Sequence, residues 1–100
     1  MFENAYLKVN ANPHLKTDIS ISQDMVDNFI VDYEVFTKKE KITVVIAVLV
    51  NGFTIVESSA CVDPKNYNEE MGANICKERI KKQVWNHLGF LLQCGVGGIK

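Results

Sequence analysis

Ile42-Thr-Val-Val-Ile-Ala-Val-Leu-Val-Asn-Gly-Phe-Thr-Ile-Val-Glu57 is the stretch that decides the fold. Asn51-Gly52 stands between two runs rich in β-branched residues, which is the strongest short-range signal for a β-hairpin. A type I′ turn needs positive φ at both central residues, and Asn-Gly supplies it. A two-residue turn here predicts that Val50 faces Phe53, Val48 faces Ile55, Ile46 faces Glu57 and Val44 faces Ser59 on one side of the sheet. Leu49, Ala47 and Val45 then lie on the other side, against Thr54, Val56 and Ser58. Both sides of the first strand are apolar, whereas an antiparallel ribbon with one wet face alternates. Each side therefore needs a cover. We expect the chain's own helix on one and a second copy of the chain on the other.

Working outward toward the N-terminus, Tyr33-Glu-Val-Phe36 has β character and is joined to the hairpin by the charged connection Thr37–Lys41. Sequential strands usually pair, so a three-stranded antiparallel meander is expected. Ahead of it, Ser22 is a good N-cap with Asp24 in the first turn. Met25, Val26, Phe29 and Ile30 repeat at helical spacing, predicting a short helix from about Gln23 to Val31. In residues 1–18, Tyr6–Val9 reads as a short strand and Asn10–His14 as a turn, because Pro13 restricts Asn12 to extended conformations.

Toward the C-terminus, Asp63-Pro64 opens a helix, with Asp as cap and Pro at the first position. A small break near Lys65-Asn66 precedes a long helix from about Tyr67 to Leu88. At 100° per residue, Tyr67, Met71, Ile75 and Trp85 share one sector; Ala73, Cys76, Ile80, Val84 and Leu88 share another, roughly opposite. Two apolar sectors ask for two partners, the sheet and another subunit. Gly72 costs about 1 kcal/mol relative to Ala in a helix interior, which close packing against a neighbouring backbone would explain. Gly89 is placed to cap the helix. Phe90–Leu92 then folds back on the core and Gly95–Gly98 is a frayed tail. The expected fold class is α+β, with a short N-terminal helix, a three-stranded antiparallel meander and a long C-terminal helix packed on the sheet. The division is residues 1–18 as an N-terminal extension, 19–93 as a single α+β domain and 94–100 as a flexible tail.

Composition bounds the function. A chain of 100 residues is one domain with one modest core. Hydrophobic residues make up 47% and charged residues 23%, so a disordered chain is not expected. Net charge of −1 argues against a dedicated nucleic-acid binder, which is usually basic. The N-terminus lacks a basic segment followed by an apolar run, so no signal peptide is expected. The longest apolar run, Val44–Val50, is far too short to span a bilayer. Cys61, Cys76 and Cys94 are odd in number and lack zinc-ligand spacing, which fits small thiols in a reducing cytosol.

Chemistry-bearing patterns are sparse. His14 and His87 have no Cys or Ser partner by motif, and no metal-binding or phosphate-loop signature is present. Neither an enzyme nor a cofactor is expected. Lys77-Glu-Arg-Ile-Lys-Lys82 is the one basic cluster. It reads either as a solvated helix face or as a phosphate-contacting patch, with Arg79 giving bidentate contacts and Lys82 a point charge. Trp85, three residues beyond Lys82, either fills the core or stacks on a base, and Asn86 lies beside it. Glu57 points to an apolar sheet face and needs water or a cation. Arg79 is a plausible mate, and the alternative role is as acceptor for a ligand's sugar or base.

Asn51-Gly52-Phe53, Ser59-Ala60-Cys61-Val62-Asp63-Pro64, Asn66-Tyr67, Glu70-Met71-Gly72, Trp85 and Leu88-Gly89-Phe90-Leu91-Leu92 follow one another in an order and spacing that resemble a family of small tailed-phage proteins. That family is the one classed with gene product forty-nine of phage N-four and gene sixty-six of phage Sf-six. The resemblance runs from about Ile19 to Gln93. The chain departs from the family's pattern at Glu57, where a glycine is common, and at Gln83, where a lysine is common. The resemblance implies a phage or prophage accessory protein acting inside a bacterium, in the host cytoplasm. It carries no catalytic residue over.

Together these readings lead us to expect a non-catalytic counter-defence protein. It would form a homo-oligomer and sequester a small anionic ligand, such as a nucleotide immune signal, at a subunit interface. Arg79, Lys82, Trp85, Glu57 and Asn86 are the expected contacts. The alternative is a protein–protein interaction module that inhibits a host protein. Neither a membrane nor nucleic acid is expected as a partner.

Overall fold

The computed structural model describes residues 19–98. The strand and turn expected within residues 1–18, and with them His14, lie outside the described residues. The chain divides into two compact units. One is Ile30–Lys82, and the other is formed by the described residues up to Phe29 and from Gln83 onward.

The first unit contains β1 (Ile30–Lys38), β2 (Ile42–Leu49) and β3 (Thr54–Ala60), antiparallel neighbours in the order β1-β2-β3. It also holds a 3-10 turn (Pro64–Asn66) and the N-terminal part of α2 (Glu69–Gln93). The meander is therefore as expected, and the long helix packs on it: Gly72 lies against Thr43, and Cys76 Sγ sits 3.9 Å from the Thr43 carbonyl.

The register of the hairpin is one residue away from the expected one. Val48 pairs with Thr54, Ala47 with Ile55, Ile46 with Val56 and Val45 with Glu57. The loop is three residues, Val50-Asn51-Gly52, not two. Gly52 N–H donates to the Leu49 carbonyl at 2.9 Å and Leu49 N–H to the Phe53 carbonyl at 2.8 Å. Only Gly52 takes positive φ (88°), and Asn51 uses its side-chain oxygen to accept from Phe53 N–H at 3.0 Å. This is the three-residue hairpin with a left-handed glycine at its end. The strict two-positive-φ turn occurs instead at the β1–β2 connection, where Lys39 and Glu40 have φ of 55° and 64°.

A one-residue slip turns every β3 side chain to the other face relative to β2. The face under α2 is built of cross-strand rows: Tyr33–Ala47–Ile55, Val35–Val45–Glu57 and Thr37–Thr43–Ser59. Thr43, Val45, Ala47 and Leu49 are all buried, whereas Ile42, Val44, Ile46 and Val48 are half-buried. The opposite face carries Phe36, Val44, Ile46, Val48 and Val56 among Asp32, Glu34, Thr54 and Ser58. Because both faces of β2 are apolar, hydrophobic pattern alone could not choose between the two registers.

α2 begins two residues later than expected. Asp63 caps only the 3-10 turn, its carboxylate accepting from Lys65 N–H at 2.9 Å. The helix proper is capped by Asn68, whose side-chain oxygen accepts from Met71 N–H at 3.1 Å and whose carbonyl accepts from Gly72 N–H at 3.0 Å. The sector Ala73, Cys76, Ile80, Val84 and Leu88 is buried throughout, each large aliphatic contributing about 1.5–3 kcal/mol. The sector Met71, Ile75 and Trp85 is exposed. Gly89 does not end the helix. The buried side continues beyond it through Leu91 and Leu92, both half-buried, so α2 runs on to Gln93 and a π-helical turn, Cys94–Gly98, follows.

In the second unit α1 is Gln23–Phe29. Ser22 caps it as expected, its hydroxyl accepting from Met25 N–H at 3.2 Å. Met25, Val26 and Phe29 are buried. The helix ends sooner than expected, because Ile30 and Val31 already belong to β1, with a register irregularity between Ile30 and Asp32.

Candidate functional site

The first unit holds a chain of hydroxyls leading from the sheet to the start of α2. Thr43 is fully buried, and its Oγ1 lies 2.7 Å from the Tyr67 hydroxyl, which is 2.8 Å from Thr37 Oγ1. Thr37 Oγ1 donates to the Glu69 carboxylate. Each hydroxyl has one hydrogen to give. Since Thr37 gives its own to Glu69, Tyr67 must donate to Thr37 and Thr43 to Tyr67. The directions are thus set from the surface carboxylate inward. Tyr67 sits between the 3-10 turn that Asp63 and Pro64 open and α2, which Asn68 caps.

Beside this chain, a cleft of about 160 Å³ opens between the end of β3, the 3-10 turn and the first turns of α2. Thr43, Ser59, Asn66, Tyr67 and Asn68 supply its polar wall, and Ala60, Met71 and Ile75 its apolar wall. Gly72 closes the floor. A Cβ there would come within 2.1 Å of Thr43 Oγ1 and 2.8 Å of Thr43 Cβ. The close packing expected at Gly72 is therefore real, and the neighbour is a buried threonine side chain. No residue lining the cleft is charged. Cys61, also on the wall, donates its thiol to the Asp63 carbonyl at 3.2 Å.

Of the five residues expected to form a ligand site, the structure brings two together. Arg79 Nη1 donates to the Ser58 carbonyl at 3.0 Å and lies 4.0 Å from Glu57 Oε1. Glu57 faces Val45 across the ladder, not Ile46. Lys82 is exposed near the end of the same unit. Trp85 and Asn86 belong to the other unit, and both are exposed. Trp85 retains 39% of its surface, so it does not fill the core. Lys77, at the start of the basic run, places its ammonium 4.8 Å from the Tyr33 ring centroid. His87 Nδ1 is 2.6 Å from the Gln83 carbonyl, one turn back in α2.

Sequence reasoning did not find the Thr37–Thr43–Tyr67–Glu69 chain or the cleft. One signal was present. Thr43 is the polar member of an otherwise aliphatic buried strand face, and a buried hydroxyl demands a partner. Cys61, Cys76 and Cys94 are free thiols. Burial raises the Cys76 thiol above the ordinary range, with nearby Arg79 opposing the rise and Glu57 adding to it. Among the described residues, no group of three or more His, Cys, Asp or Glu is placed to hold a metal ion. Nor is any described helix long and apolar enough to cross a membrane.

Comparison with known proteins adds one finding. The sequence model of a family described as phage protein (N4 Gp49/phage Sf6 gene 66) matches residues 21–96. No curated protein and no solved structure matches.

Proposed function

The chain belongs to that phage protein family, and from this premise we propose that it is a counter-defence accessory protein that works by binding, without catalysis, in the host cytoplasm. It sequesters a small anionic ligand, of the nucleotide immune-signal type, at an interface between copies of itself. The observation that supports this reading is the outward sector of α2 within the first unit. Met71 and Ile75 keep 63% and 40% of their surface exposed. Arg79 follows one turn beyond Ile75 and Lys82 two turns beyond it, and both are exposed. An apolar lip followed by two cations offers a covering subunit something to bury and an anion something to meet. The cleft beside Met71 is small for a complete site, since ligand pockets commonly run to roughly 300–1,000 Å³. A second copy laid over the lip would enlarge it.

Isothermal titration calorimetry of the folded protein against cyclic nucleotides and ADP-ribose-type nucleotides tests the reading. Saturable heat from at least one nucleotide is expected. No heat from any of them would remove it. A second reading, inhibition of a host protein through a docking face, is favoured by the other side of the sheet, where Phe36, Val44, Ile46, Val48 and Val56 lie together. A stoichiometric host protein co-purifying with the chain, and no bound nucleotide, is the outcome that reading predicts.

A further inference from the structure

Asn51 is the one asparagine of the chain followed by glycine, and that pair has a reactivity of its own beyond the turn it forms. We propose that Asn51 is a site of spontaneous deamidation that the folded hairpin holds in check, and that isoaspartate formed there unfastens the β2–β3 register. A glycine nitrogen approaches a neighbouring side chain more freely than other backbone nitrogens, because no Cβ stands in the way. Asn51 and Gly52 are both exposed, and nothing lies within 4 Å of a Cβ built on Gly52. Water therefore reaches both partners.

The reaction balances on these two residues and water. The Gly52 backbone nitrogen gives its proton to solvent and bonds to Asn51 Cγ. The bond from Cγ to the side-chain nitrogen breaks, and that nitrogen takes up a proton and leaves as ammonia. The product is a cyclic succinimide, which water then opens. Addition of water at Cγ leaves aspartate in an ordinary main chain. Addition at the main-chain carbonyl carbon leaves isoaspartate, whose main chain runs through Cβ and Cγ and is longer by that methylene.

In the folded loop both reacting groups are engaged. Gly52 N–H donates to the Leu49 carbonyl at 2.9 Å, and Asn51 Oδ1 accepts from Phe53 N–H at 3.0 Å. The nitrogen must leave the first bond before it attacks, and the second bond pins the side chain it attacks. Reaction therefore proceeds from the opened tip, and its rate follows the opened population. The same loop helps to set the register. Both faces of β2 are apolar, so pairing Val48 with Thr54 and Val45 with Glu57 leans on a loop of fixed length between Leu49 and Phe53. Aspartate keeps that length and an oxygen for Phe53 N–H; isoaspartate does not keep the length. A one-residue slip turns Glu57 to the opposite face, away from Arg79, whose Nη1 lies 4.0 Å from Glu57 Oε1 and donates to the Ser58 carbonyl. Damage at the tip is thus felt further along β3.

The test ages the full chain at mildly alkaline pH, folded in buffer and unfolded in guanidinium, and follows it by peptide mass mapping with isoaspartate scored by enzymatic methylation. The unfolded chain is expected to react at Asn51 well ahead of Asn66, Asn68, Asn74 and Asn86, and the folded protein at least about tenfold more slowly at Asn51. Equal Asn51 rates in the two states overturn the protection. An unfolded chain that reacts no faster at Asn51 than at the other asparagines overturns the site. The consequence is read by NMR on Asn51→Asp and on the isoaspartate form separated from aged folded protein. Asn51→Asp should keep the parent cross-strand contacts of Val48 with Thr54 and Val45 with Glu57. The isoaspartate form should lose them, with the Ser58 and Arg79 signals shifted, while Val35 still contacts Val45 across β1 and β2. Parent contacts throughout β2–β3 in the isoaspartate form, or loss of the β1–β2 contacts as well, overturn the register claim.

Discussion

Replacing Gly72 with alanine should destabilise the protein even though alanine is the better helix former. In an unobstructed helix the change would gain about 1 kcal/mol. Here the new methyl would sit 2.1 Å from Thr43 Oγ1 and 2.8 Å from Thr43 Cβ. Rotating Thr43 relieves only the first approach, and it breaks the 2.7 Å bond to Tyr67 while leaving a fully buried hydroxyl, a cost of roughly 1–3 kcal/mol. The second approach requires the helix to lift from the strand, adding overpacking strain of about 1–3 kcal/mol. Against the propensity gain, a net loss of about 2 kcal/mol remains, which for a chain of this length is roughly a 10 °C fall in Tm. Urea and thermal unfolding followed by circular dichroism measure it. Gly89→Ala is the internal control: nothing lies within 4 Å of its Cβ position, so that variant should gain up to about 1 kcal/mol. Thr43→Ala should reduce the Gly72→Ala penalty in a double-mutant cycle. A Gly72→Ala protein as stable as the parent would refute the packing argument.

Other consequences follow from the same geometry. Lys39→Asn with Glu40→Gly puts residues suited to positive φ into the β1–β2 turn and should stabilise by about 1 kcal/mol, read as a higher urea midpoint; an unchanged midpoint would count against that turn. Tyr67→Phe removes the link between Thr43 and Thr37 and should cost about 1–2 kcal/mol in the same assay, with loss below a few tenths contradicting the chain of hydroxyls. Burial raises the Cys76 thiol, so the folded state holds this proton more tightly than the unfolded state. Its contribution is complete below the unfolded thiol pKa of about 8.5 and is lost as pH rises through the higher folded value. Unfolding free energy should therefore fall more steeply between pH 8 and pH 10 (roughly that thiol window) in the parent than in Cys76→Ala. Parallel curves would show that the thiol is not protected.

The meander, the capped α1 and the buried side of α2 were legible because each rests on local rules: alternation, an N-cap serine, and apolar spacing at 3.6 residues. What failed was local evidence with two solutions. Asn51-Gly52 suits both a two-residue and a three-residue loop, and with both faces of β2 apolar no polar residue marked the right register until Glu57 found Arg79. Gly89 has the composition of a cap, but the apolar side of α2 continues through Leu91 and Leu92 and overrides it. Trp85 has the size of a core residue, and size alone does not decide between core and surface. It lies exposed on the outward sector of α2. The cleft was illegible because its walls come from Thr43, Ser59 and Asn66–Ile75, which only the folded meander brings side by side.

The central claim is that the outward sector of α2 is a shared binding surface. Native mass spectrometry of the protein purified from phage-infected cells tests it most directly. The account predicts two or more copies of the 11.3 kDa chain carrying an added mass of nucleotide size, with the added mass lost from an Arg79→Gln, Lys82→Gln variant. A single copy at its bare chain mass would contradict it.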